Sequence, residues 1–149
     1  MAWRKLLLQD DPFMLQHSLS DGQYSGITEA GTAGEALAFG DLLYLEGASG
    51  RWKLAAASAA SSARGKLGIC LVGASGDGEP TQVLLWGKVR ADAAFPALTA
   101  GEPVFMSASA GDITQTPPAG SGNIIRVLGQ ANAAYELFFC PSGDWFELA

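Results

Sequence analysis

The apolar residues of this chain come mostly in short runs, and clusters of Gly, Ser, Asp and Pro interrupt them about every ten residues. That spacing predicts strands in preference to helices, which need an apolar stripe sustained over roughly ten residues or more. Strands are expected near Tyr24–Glu29, Leu42–Glu46, Trp52–Ala55, Leu67–Gly73, Thr81–Arg90, Pro103–Ser107, Ile124–Gly129, Tyr135–Cys140 and Trp145–Leu148. Glu46-Gly-Ala-Ser-Gly-Arg51 supplies the positive-φ residues of a hairpin turn between two of these runs, and Ser107-Ala-Ser-Ala-Gly-Asp112 does the same further on. The stretch Ala55–Ala63 fits neither pattern. Its alanines favour a helix, but it has no bulky residue to anchor a helix face, so it reads as one short helix or a flexible loop.

The same pattern is written twice. Gly26–Leu71 laid over Gly87–Asn132 at a constant offset of 61 gives nine identical columns in 46, among them Gly26/Gly87, Leu37/Leu98, Gly40/Gly101, Gly50/Gly111 and Gly68/Gly129. A chain this rich in Ala, Gly and Leu yields roughly half as many matches by chance, so the substitutions carry more weight than the identities. Asp41/Glu102, Leu43/Val104, Tyr44/Phe105 and Leu45/Met106 each keep charge or apolar bulk. Gly50 and Gly111 fall in equivalent columns, as a repeated turn would require. The copies diverge in loops: the counterpart of Ala55–Ala63 is Thr116–Gly122, whose Pro117-Pro118 excludes a helix. The fold class expected is therefore all-β, a duplicated β-hairpin unit forming a compact β-barrel or sandwich-like domain. Residues 1–21 form an extended N-terminal arm, and residues 22–149 a β domain of two pseudo-repeats, 26–71 and 87–132.

Composition narrows the function more than the fold. At 149 residues one compact domain is the natural expectation. The net charge is −6, and the nine cations never cluster beyond a dipeptide or an alternating pair, so no electrostatic footprint for nucleic acid is present. Only 16 % of residues are charged, which is sparse for a free monomer and points to apolar surface covered by another subunit. No apolar run approaches the roughly 18 to 20 residues that cross a bilayer as a helix, and Gln9-Asp10-Asp11-Pro12 cuts the opening apolar stretch short of a signal-peptide core. No membrane partner is expected.

Reactive constellations are scarce. His17 is the sole histidine, and a hydrolase would need it beside a serine and an acid such as Asp21 or Asp41, without a Gly-x-Ser-x-Gly elbow to present the nucleophile. Asp10 and Asp11 are adjacent and in an extended segment point to opposite faces. Asp77-Gly78-Glu79 lacks the ligand spacing of a calcium loop, and Cys70 and Cys140 lack that of a zinc site, so buried free thiols are expected. No catalytic residue, metal or cofactor is assigned, and the chain is not expected to be an enzyme.

The second copy, with Ala97-Leu-Thr-Ala-Gly-Glu-Pro-Val-Phe-Met-Ser107, Gly111-Asp-Ile-Thr114, Pro117-Pro118 and Val127-Leu-Gly-Gln-Ala131, resembles the C-terminal region of tailed-bacteriophage head decoration (capsid cement) and head-fibre proteins. Gly40-Asp-Leu-Leu-Tyr44 and the opening Met1-Ala-Trp-Arg-Lys-Leu-Leu7 are similar to the same family. The resemblance implies a β-rich, often trimeric protein that binds the outside of an assembled head and stiffens it. It brings no catalytic residues. On this expectation the partner is the major capsid protein, the protein is made in the host cytoplasm, and its place is the capsid exterior of the virion. Trp3, Leu6, Leu7 and Leu8 in the arm would contact the capsid. Trp145, Phe146 and Leu148, in a polar-apolar alternating terminal strand, would lie in a homotrimer interface. The alternative is a tail- or head-fibre module that binds a bacterial receptor or glycan through loops such as Ser75–Pro80 and Thr114–Asn123; neither contains an aromatic.

Overall fold

A computed structural model of the chain describes residues 14–149; Trp3, Leu6, Leu7 and Leu8 lie outside the described residues. Eleven strands follow in order: β1 (Tyr24–Thr32), β2 (Leu42–Leu45), β3 (Trp52–Leu54), β4 (Leu67–Cys70), β5 (Pro80–Arg90), β6 (Pro103–Met106), β7 (Ile113–Thr114), β8 (Ile124–Ile125), β9 (Val127–Ala133), β10 (Glu136–Phe139) and β11 (Phe146–Glu147). One short helix, α1 (Ala60–Ala63), interrupts them. Nine strands make a single curled antiparallel sheet in the order β3-β2-β4-β5-β10-β9-β6-β7, with β1 running antiparallel along β5, and β8 and β11 form a separate ribbon. The protein is all-β, and its sheet curls into a half-barrel. The expected run Ile124–Gly129 breaks into β8 and β9 at Arg126, whose side chain turns inward to bond three backbone carbonyls. β7 was too short to leave a pattern in the sequence.

The duplication is visible in hydrogen-bond register. Leu43 faces Leu54 between β2 and β3, and at the offset of 61 for both partners Val104 belongs opposite Gln115, the same register that sets Phe105 against Thr114 between β6 and β7. Leu42 faces Ile69 between β2 and β4, while Pro103 faces Gln130 between β6 and β9. The loop bonds repeat as well. Gly40 N–H donates to Cys70 O and Cys70 N–H to Asp41 O, as Gly101 N–H donates to Ala131 O and Ala131 N–H to Glu102 O. Gly40 and Gly101 both have positive φ, +92° and +85°, which a side-chain-bearing residue rarely adopts.

The core is duplicated with the strands. A small cluster packs Ala33, Leu37, Leu43, Trp52, Cys70 and Val83. Five of them have counterparts at the offset of 61, namely Ala94, Leu98, Val104, Ile113 and Ala131, all within or against the large cluster. Copy one is covered on both faces, because Leu42, Ile69 and Leu84 join the large cluster while their neighbours Leu43, Cys70 and Val83 fill the small one. Hence Leu42-Leu43 and Leu67–Cys70 are buried without alternation.

The two copies differ where Trp52 becomes Ile113. The Ala55–Ala63 stretch of the first copy crosses to the β6–β7 hairpin of the second. Gly111 N–H donates to Ala55 O and Ala57 N–H to Ser107 O, each at 2.8 Å, and Ile124 N–H donates to Ala57 O at 2.9 Å. Ala55, Ala57 and Ala63 are fully buried, so the segment has no space for larger side chains. The buried Ser62 hydroxyl donates toward Ala56 O and Ala59 O and accepts from Ala56 N–H, which holds α1 in place without a cap residue. The segment is thus a short helix flanked by an ordered loop.

Tight curling needs glycine in the sheet itself. Gly87 and Gly129 have φ of +133° and +141°, and a Cβ on either would run into a carbonyl oxygen of the adjoining strand, that of Ser25 and Phe138 respectively. On the first copy's side, Ala33 bridges Trp52 in parallel, so the chain leaving β1 meets β3 and draws that edge inward.

Candidate functional site

Two surfaces of this body carry apolar groups that the core does not absorb. The first lies along β1, which pairs with β5 on one side and with no strand on the other among the described residues. Ile27 pairs with Trp86, and the Trp86 ring meets Phe138 of β10 edge-on, with centroids 5.3 Å apart. Ile27 remains 60 % exposed and Trp86 41 %. An unpaired edge flanked by apolar side chains is a feature that soluble proteins usually block with Lys or Pro, and β1 contains neither.

The second is the β8–β11 ribbon. Phe146 pairs with Ile125, Gly122 N–H donates to Leu148 O, and Leu148 N–H donates to Asn123 O. Trp145 and Phe146 are exposed and Leu148 is half-buried, so of the three residues assigned to a subunit interface two present their rings outward. The Arg64 guanidinium stacks over the Trp145 ring at 5.3 Å and steadies it. A shallow cavity of about 230 Å³ opens beside them, lined by Ile125, Val127, Trp145 and Phe146 among others.

Between the arm and the sheet lies a polar arrangement that strand patterns did not foretell. Lys88 in β5 and Glu136 in β10 are buried together, with side chains 8 % and 6 % exposed and Nζ 3.3 Å from Oε2. Lys88 Nζ also donates to the carbonyls of Gln16 (2.5 Å) and His17 (2.7 Å), and Glu136 Oε1 accepts the Leu19 N–H at 3.1 Å. Arg90, forked onto Asp92, adds a bond to Leu19 O at 3.1 Å. A cavity of about 680 Å³ runs beside this segment, between Leu15–Leu19 and the β9–β10 turn. The alternating Lys88 and Arg90 within an apolar strand were the only hint in the sequence.

The remaining candidates for chemistry are dispersed. His17 is exposed, and the acids that could orient it serve backbone amides: Asp21 accepts from Asp92 N–H and Asp41 from Ala38 N–H. Burial pushes the Asp41 carboxyl above its usual range, with that amide bond opposing. Asp77 is paired with Arg51 at 2.5 Å. Cys70 and Cys140 are free, the first buried and the second half-buried, and burial raises both thiol pKa values. No group of three or more His, Cys, Asp or Glu is placed to hold a metal among the described residues. Among them, too, no helix is long and apolar enough to cross a membrane.

No family model, curated protein or solved structure matches the chain.

Proposed function

We propose that this chain is a structural virion protein that binds the outer surface of a phage capsid and stabilises it as a decoration or cement protein. The observation that carries the reading is the pairing of a rigid, duplicated β body with apolar surfaces left over at its periphery, namely the β1 edge with Ile27 and Trp86, and the Trp145–Phe146 ribbon. Such a body suits a mechanical task. Its glycine-curled half-barrel is held by long-range strand pairs, and its outer surfaces offer backbone and aromatic groups for association. The resemblance in Gly40–Tyr44 and Ala97–Ala131 points the same way.

In this reading Trp145, Phe146 and Leu148 join copies into a homo-oligomer, with three copies expected. The arm, through Trp3, Leu6, Leu7 and Leu8, grips the major capsid protein. Light scattering of the purified protein should then give about 46 kDa, three times the 15.4 kDa chain. Trp145→Ala with Phe146→Ala should shift the mass to that of the single chain. Deleting Met1–Gln9 should leave the oligomer folded but unable to stay on assembled heads through washing; full retention by the truncated protein would overturn the assignment of the arm.

A further inference from the structure

We propose that Lys88 and Glu136 form a clasp that reads main chain, fixing Gln16–Leu19 on the sheet. The ammonium donates to Gln16 O and His17 O and faces Glu136 Oε2 as its ion-pair partner at 3.3 Å. The carboxylate divides its oxygens between Lys88 and the Leu19 amide. Every one of these contacts to the arm is to backbone, and the side chains of Gln16, His17 and Ser18 are exposed. The site therefore holds Gln16–Ser18 through backbone groups alone, while Leu19 adds its amide and a buried side chain.

A buried ion pair is poor economy if stability alone is the purpose, because an apolar pair of similar volume does as well. Here its charged groups meet donors and acceptors that only a peptide in this position supplies. The turn that follows is built to hold the segment there: Ser20 N–H donates to Gln23 Oε1, Gln23 N–H to Ser20 O, and Gly22, at φ +81°, donates to Arg90 O. Leu19 is inserted to 4 % exposure as the apolar stop.

The test uses the full chain by itself and needs no capsid, so its failure would leave the functional reading standing. Lys88→Met combined with Glu136→Leu removes both charges together and leaves neither buried alone. Hydrogen exchange should then show the Leu19 amide opening at least about tenfold faster, with the amides of β4 and β9 unchanged. Protection at Leu19 equal to that of the unaltered chain would overturn the proposal, and so would a uniform loss across β4 and β9, which would make the pair a general stabiliser. Leu19→Pro keeps both charges and deletes the amide that Glu136 accepts. It should speed chymotryptic cleavage after Leu15 by about tenfold or more while Cys70 stays closed to thiol reagents; unchanged resistance at Leu15 would equally refute the clasp.

Discussion

Arg126 is the most demanding side chain in the fold, since it is 7 % exposed and forms no ion pair among the described residues. Its guanidinium is hydrogen-bonded by backbone carbonyls, donating to Ala63 O (2.8 Å), Gly65 O (2.7 Å) and Ser142 O (2.8 Å). Those partners belong to the end of α1, the loop after it and the segment leading to β11, so one residue ties three irregular parts of the chain together. Arg126→Met keeps the stem and removes the bonds. Hydrogen bonds to a charged group contribute about 1.5–3 kcal/mol each, so the gross loss is roughly 4.5–9 kcal/mol.

Against this stands the cost of burying a guanidinium, several kcal/mol, which the variant no longer bears. The same cost lowers the Arg126 pKa, though the group stays charged at neutral pH. The net destabilisation expected is about 2–4 kcal/mol, a large share of the 5–15 kcal/mol typical of a domain, and a melting point lowered by roughly 5–15 °C. Urea denaturation of Arg126→Met and Arg126→Lys measures it. Lysine retains the charge but cannot present the planar fork to three carbonyls, so it should recover less than about half the loss. If Arg126→Met unfolds within about 0.5 kcal/mol of the unaltered protein, the carbonyl cage is not a net source of stability and the reasoning fails.

Two further outcomes follow from local geometry. Gly129→Ala should cost more than about 3 kcal/mol, because its φ is +141° and the new Cβ meets the Phe138 carbonyl, whereas Gly101→Ala, at φ +85° with open space around it, should cost about 1 kcal/mol; equal midpoints in a urea titration would refute the distinction. Cys70 should react with a thiol reagent only on unfolding, while the half-buried Cys140 reacts in the folded protein, more slowly at neutral pH than a free cysteine because its thiolate is disfavoured. Since both thiols hold their protons more tightly when folded, the folded state binds more protons above the ordinary thiol value of about 9, and stability should fall as pH rises through that region. A Cys70→Ala/Cys140→Ala variant should lose that part of the alkaline slope, and an unchanged slope would count against it.

Periodicity and punctuation made most of the strands legible, because apolar runs such as Leu42–Leu45 and Pro103–Met106 are short and follow or precede glycines of positive φ, Gly40, Gly50, Gly101 and Gly111. The register followed from the repeat: once Gly40-Asp41 and Gly101-Glu102 are equivalent, so are the bonds that Cys70 and Ala131 make to them. Arg126 was not legible. A cation between Ile125 and Val127 reads as an outward position in one continuous strand, and only the carbonyls that converge from Ala63, Gly65 and Ser142 turn it inward. Lys88 and Glu136 were hidden for the same reason, since the groups that satisfy them lie about 50 to 120 residues away in sequence. Buried charges are set by tertiary partners, which local pattern does not encode.

The Ala55–Ala63 segment shows how the duplication became one folding unit. Ala55, Ala57 and Ala63 are buried in one cluster with Val104, Met106 and Ile113 of the second copy, and Gly111 and Ser107 bond directly to that segment. β5 adds a second tie, because Val83 and Leu84 pair with β4 of the first copy while Gly87–Arg90 pair with β10, which itself pairs with β9 of the second. Neither half can therefore open without exposing the other's core.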